Sequence, residues 1–131
     1  MTYLEAAQQA TACQARLLVS IHCNGSPAAA SHGTEVWYYR QAARQLAELL
    51  VCEVDRQIAG GESPWLTAPI PLRRRGVKEG TFHVLTAPKC LAVLVEAAFI
   101  TNPREEGLLR DRHFLQAYAQ AVADGVAAWV G

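Results

Sequence analysis

Leu91-Ala92-Val93-Leu94-Val95-Glu96 is the stretch on which the fold turns. An apolar run without polar alternation reads as a β-strand covered on both faces. The strand then ends on a carboxylate. A second stretch, Leu17-Leu18-Val19-Ser20-Ile21-His22-Cys23-Asn24, has the same form and delivers an imidazole. Open α/β sheets build their sites at the carboxyl ends of buried strands. Two strands that each end on a side chain able to bind metal or move a proton point to a catalytic site. One His and one Glu are too few for a complete metal centre.

Outward from these strands, Thr34 to Tyr39 is rich in β-formers and reads as a third. Thr81 to Thr86 reads as another, joined to Leu91–Ala97 through the turn Ala87-Pro88-Lys89. Thr2 to about Gln14 reads as a helix that Thr2 caps. Gln41 to Ile58 is a clear helix, with Leu46, Leu50, Val54 and Ile58 at helical spacing and Gly60-Gly61 at its end. Pro103 suits the first turn of a helix capped by Asn102, and Asp111 to Val130 is amphipathic. Glu62 to Arg75 holds Pro64, Pro69 and Pro71 and reads as an irregular loop. Strands alternating with helices predict an α/β fold: a twisted, mostly parallel sheet with helices on both faces, in three layers. No phosphate-binding glycine loop and no serine nucleophile elbow is present.

The 131 residues fit a single domain, 1–131. Twelve Lys and Arg balance twelve Asp and Glu, so no net field favours nucleic acid or an anionic membrane. The local exception, Arg73-Arg74-Arg75, reads as a solvated loop. No segment reaches the roughly 18 apolar residues of a membrane span. Met1 to Glu5 lacks the basic start and apolar block of a secretory signal, so the chain as written is expected in the cytoplasm. Cys13, Cys23, Cys52 and Cys90 form no C-x-x-C pair and read as buried thiols. Cys23 stands next to His22, but neighbours on a strand face opposite sides.

His22 reads either as a structural histidine or as a metal ligand or general base, with Ser20 and Asn24 as nearby polar support. Glu96 is the stronger signal. A carboxylate in so apolar a stretch is costly unless it is paired, protonated or metal-bound. Burial also raises its pKa toward the range of a general base or acid. The alternative is a salt bridge to Arg75 or Lys78. Glu35 is expected to face water, although its strand could bring it to the same site. His32, His83 and His113 have no ligand-like spacing.

At these residues the chain resembles the zinc-dependent N-acetylmuramoyl-L-alanine amidases of the cell-wall hydrolase type. Ala15 to Asn24 is similar to the family's strand ending Ser-Ile-His-Ala-Asn, with Cys23 in place of Ala. Gly33-Thr34-Glu35-Val36-Trp37-Tyr38-Tyr39 resembles its Gly-x-Glu strand. Arg75-Gly76-Val77-Lys78, followed by Phe82 to Leu85, is similar to its Arg-Gly-Val-Lys segment. Val93 to Asn102 resembles the strand that carries the family's glutamate, with Ala98 where Gly is usual. The order and spacing also agree from about Leu4 to Trp129.

The resemblance implies a zinc hydrolase that cleaves the amide between N-acetylmuramic acid and L-alanine of the peptidoglycan stem peptide. It implies a location in the periplasm, outside the cell or in the cell wall. His22 matches a zinc ligand and Glu96 the catalytic glutamate. Asn24, Glu35, Lys78 and Asn102 are candidates for substrate binding or for support of the ligands. In the family, a strand ending in a His-Gly-Gly-like loop and a helix with a glutamate come first and supply the other two zinc ligands. The chain is therefore expected to lack N-terminal strands and both ligands. Three explanations stand: the segment precedes Met1, the chain is a remnant, or Cys23, Glu35 or His32 rebuilds the site. A remnant would bind peptidoglycan or a protein partner without cleaving. A sheet short of a strand is expected to expose an apolar face or an unpaired edge, either of which invites self-association.

Overall fold

The computed structural model describes Met1–Gly131 as a four-stranded sheet between two layers of helices. The strands are β1 (Leu17–Asn24), β2 (Thr34–Tyr38), β3 (Arg74–Glu79) and β4 (Leu91–Phe99). Their order across the sheet is β1-β4-β2-β3. β1 runs parallel to β4 and β2 parallel to β3, while β2 and β4 are antiparallel. Two of the three pairings are parallel, in keeping with the sequence reading.

β4 is continuous in apolar character because both of its faces are covered. Val93, Val95 and Ala97 join the main core with α2 (Arg44–Val54) and α5 (Arg112–Val130). Ala92 and Leu94 face the other way and meet Leu85 of the short helix α3 (His83–Thr86). Helix α1 (Tyr3–Ala12) packs beside α3 on that second face. Its start is fixed by a capping box: Thr2 Oγ1 accepts from the Glu5 N–H, and the Glu5 carboxylate accepts from the Thr2 N–H. Helix α4 (Pro103–Arg110) opens with Asn102, whose side-chain oxygen accepts from the N–H groups of Arg104 and Glu105. α2 is led in by a 3₁₀ turn at Gln41–Ala43 and continues into a π-helical turn at Asp55–Ala59, so the helical stretch matches the one expected. No helix is long and apolar enough to cross a membrane.

Two elements correct the sequence reading. Arg74–Glu79 was expected to begin as loop and is strand β3, paired along β2. Its charges concealed it, because an edge strand keeps polar side chains that a buried one cannot. Thr81 to Thr86 was expected to be a strand and instead holds α3. A run of four residues is too short for its period to distinguish helix from strand. The cysteines also differ: Cys13, Cys23 and Cys52 are exposed and Cys90 is intermediate. The outer edge of β1 has no neighbouring strand, and Ile21 there is 51% exposed.

Candidate functional site

Register brings the polar strand ends into one row. His22 on β1 lies opposite Glu96 on β4, and Glu96 lies opposite Glu35 on β2. Glu35 in turn faces Gly76 on β3. Directly opposed residues project to the same face of a sheet, so His22, Glu96 and Glu35 share one. It is the face bearing Ala92, Leu94 and Trp37. Gly76 has φ +88°, a conformation that side chains disfavour, beside the register shift between Thr34 and Glu35. That irregularity carries Arg75 toward the site.

Glu35 does not face water as expected; it is 2% exposed. Its carboxylate accepts from Arg75 Nε at 2.8 Å, Asn24 Nδ2 at 2.9 Å and Lys78 Nζ at 3.1 Å. Arg75, read in the sequence as part of a solvated loop and as a possible partner of Glu96, instead lies on β3 and pairs with Glu35. Its guanidinium lies 4.9 Å from the Phe99 ring centroid, and the Lys78 ammonium lies 5.6 Å from that of Trp37.

Glu96 is the contrasting case. The cations considered as its partners, Arg75 and Lys78, bind Glu35 instead. Glu96 Oε2 is buried with no hydrogen-bond partner from the protein. Burial, reinforced by the nearby Glu35 charge, pushes its carboxyl up to about 7. The backbone beneath is held firmly: Thr34 Oγ1 donates to the Glu96 carbonyl at 3.2 Å, and the buried Tyr118 hydroxyl sits 2.6 Å from Thr34 Oγ1. Thr34 has a single hydroxyl proton, so Tyr118 donates to it. Burial also raises the Tyr118 pKa, which keeps that proton in place.

A second buried carboxylate shapes the rim. Glu105 accepts from the Gly33 N–H with both oxygens, at 3.0 and 2.8 Å, and from the Phe99 N–H at 2.8 Å. It thereby ties the loop before β2 to the end of β4. Gly33 has φ +112°, and an added Cβ would stand 2.5 Å from the Arg73 carbonyl oxygen, so only glycine fits that junction. Asn102, a candidate for substrate binding or for support of the ligands, caps α4, and its Nδ2 donates to the Ala29 carbonyl at 3.1 Å.

Two cavities meet at Glu96. One, of about 560 Å³, is mainly apolar and is lined by Tyr3, Leu94 and His22, with His83 also on its wall. His83 carried no signal in the sequence because its approach depends on α3. The other, of about 320 Å³, is polar and is lined by Asn24, Glu35, Arg75 and Lys78. Nowhere do three His, Cys, Asp or Glu side chains converge as a metal site. Catalytic zinc takes three protein ligands and a water. His22 with Glu96 does not meet that need. Cys23, Glu35 and His32 do not rebuild it either: Glu35 is committed to its cations, and His32 Nδ1 lies 2.9 Å from the Ala30 carbonyl. The residues present therefore do not fit a complete zinc centre.

Comparison with known proteins agrees with this architecture. The family profile described as N-acetylmuramoyl-L-alanine amidase matches residues 1–128. The N-acetylmuramoyl-L-alanine amidase LytC of Bacillus subtilis is 33% identical over 129 residues, which cover 95% of this chain and 24% of LytC. YqiI of the same organism is 33% identical over 126 residues, covering 96% of this chain and 57% of YqiI. The catalytic domain of the amidase CwlV from Bacillus (Paenibacillus) polymyxa superposes with a TM-score of 0.84 at 32% identity, over 99% of this chain and 66% of that one. The chain thus spans less than two thirds of each of these relatives.

Proposed function

This chain belongs to the N-acetylmuramoyl-L-alanine amidase family, and on that premise we propose that it acts on peptidoglycan, at the amide joining N-acetylmuramic acid to L-alanine. The observation that supports this reading is Glu96: a carboxyl at the junction of two cavities, unpartnered at Oε2 and titrating at about 7. A carboxyl pushed up to about 7 samples both protonation states near neutral pH. It can take a proton from the water that adds to the amide carbonyl carbon. When the carbon–nitrogen bond breaks, the same carboxyl returns the proton to the leaving nitrogen. The carbonyl carbon ends as a carboxylate and the nitrogen as the free amine of alanine.

His22, on the same face and opposite Glu96, is the residue this chain offers to a zinc ion; two further ligands are required. The cell wall is the matching location for an enzyme with this substrate. Release of alanine amino termini from N-acetylmuramoyl peptides, measured with and without added zinc, tests the reading. Product that disappears in Glu96→Gln supports it. Product formation that is unchanged by Glu96→Gln overturns it.

The missing three-ligand cluster favours one second reading, a module that binds peptidoglycan or a protein partner without cleaving it. Binding of muropeptides without any amine release, at every zinc concentration tried, would establish that alternative.

A further inference from the structure

The polar cavity holds two cations against one carboxylate, and the carboxylate lies underneath. Glu35 is buried, while the side chains of Arg75 and Lys78 keep 23% and 32% of their surface open. Glu35 Oε2 takes one ammonium N–H of Lys78, leaving two. Arg75 uses Nε on Glu35 and one Nη1 hydrogen weakly on the His32 carbonyl at 3.5 Å, which leaves three N–H donors, two of them on Nη2. The neighbouring neutral groups are largely engaged with one another: Asn24 bonds Glu35 and the Gly25 N–H, and Ser31 donates to Ser26. The charged donors that remain on the cavity wall are those of Arg75 and Lys78. Phe99 and Trp37 flank them and hold both side chains against aromatic faces.

We infer that this cavity is a carboxylate subsite, in which Arg75 and Lys78 bind an acidic group on the peptide side of the scissile amide. The inference rests on the function proposed above and names what that site reads. Glu96 borders both cavities, so an amide placed at Glu96 extends one way into the apolar cavity and the other way over the cations. Of the two sides of the substrate, the peptide carries the free carboxylate. Glu35 is then the positioning residue that fixes the two donors from below, and the charge-assisted pairing supplies selectivity for acid over amide.

Calorimetric titration of the whole chain with two ligands tests this. One is N-acetylmuramoyl-L-alanyl-D-glutamate, and the other is the same molecule with both glutamyl carboxylates replaced by carboxamides. Glu96→Gln protein is carried alongside so that turnover does not distort the isotherm. The acid is expected to bind about tenfold more tightly, and the difference should shrink with added salt. Lys78→Gln should reduce the preference several-fold. Equal affinity for both ligands overturns the subsite and leaves the proposed function standing. Binding of neither ligand overturns the proposed function, and the subsite with it. Retention of the full preference in Lys78→Gln overturns the placement at these cations. If that variant does not fold, Lys78→Met, which keeps the length of the side chain without its charge, is read in its place with the same two outcomes.

Discussion

Glu35 and Glu96 sit opposite each other on neighbouring strands, yet their surroundings differ in kind. On the β2–β3 side, Glu35 is more deeply buried and its carboxylate is held by three donors, Arg75, Lys78 and Asn24. On the β1–β4 side, Glu96 is less buried and has no cation beside it, and one of its oxygens has no partner. Burial with partners makes a carboxylate a structural tie. Burial without them raises its pKa and leaves it free to move a proton. The same residue type thus does two jobs, one strand apart.

The largest effect expected from breaking this contrast is on chemistry. Glu96→Gln should lower amide hydrolysis by about 10²–10⁴-fold, the usual contribution of a positioned acid or base, as read by amine release. Next comes stability. Glu35→Gln leaves Arg75 and Lys78 without their counter-charge and should cost about 2–3 kcal/mol in urea unfolding. An equal loss from Glu96→Gln would erase the distinction between the two carboxylates.

The pH dependence gives a smaller effect of opposite sign. Glu96 has a reference pKa of 4.5 and is raised to about 7 in the fold. Below 4.5 both states hold the proton and stability is full. As pH rises toward 7, the unfolded chain loses the proton first, so stability falls, and it levels off above 7. Glu96→Gln removes this slope and should stabilise the protein at pH 7 by on the order of 1–2 kcal/mol, once solvent screening of a half-buried group is included. Smallest is the coupling between the two sites. Glu35→Gln removes a nearby negative charge and should lower the Glu96 pKa. The fall is only partial, because burial is the larger cause.

The parts of this molecule legible in the sequence are those with local signals. β1, β2, β4 and the long helices announce themselves by apolar runs, periodicity and caps such as Thr2 and Asn102. His22 and Glu96 are legible as polar ends on apolar strands. β3 was only partly so, because its Arg, Gly, Lys and Glu carry no strand signal until β2 is known to lie beside it. The burial of Glu35 could not be read at all from its neighbours in sequence. It depends on Arg75, forty residues away, and on Lys78. The exposure of Cys23 follows similarly from β1 lying at the sheet edge, a fact of topology rather than composition.

A side-chain carboxyl NMR titration of Glu96, assigned by comparison with Glu96→Gln, bears most directly on the distinction between the two carboxylates. The geometry predicts a midpoint of about 7 that moves down in Glu35→Gln. A midpoint among ordinary carboxylates, near 4.5, would contradict it, since Glu96 would then be a charged surface group with no special readiness to carry a proton.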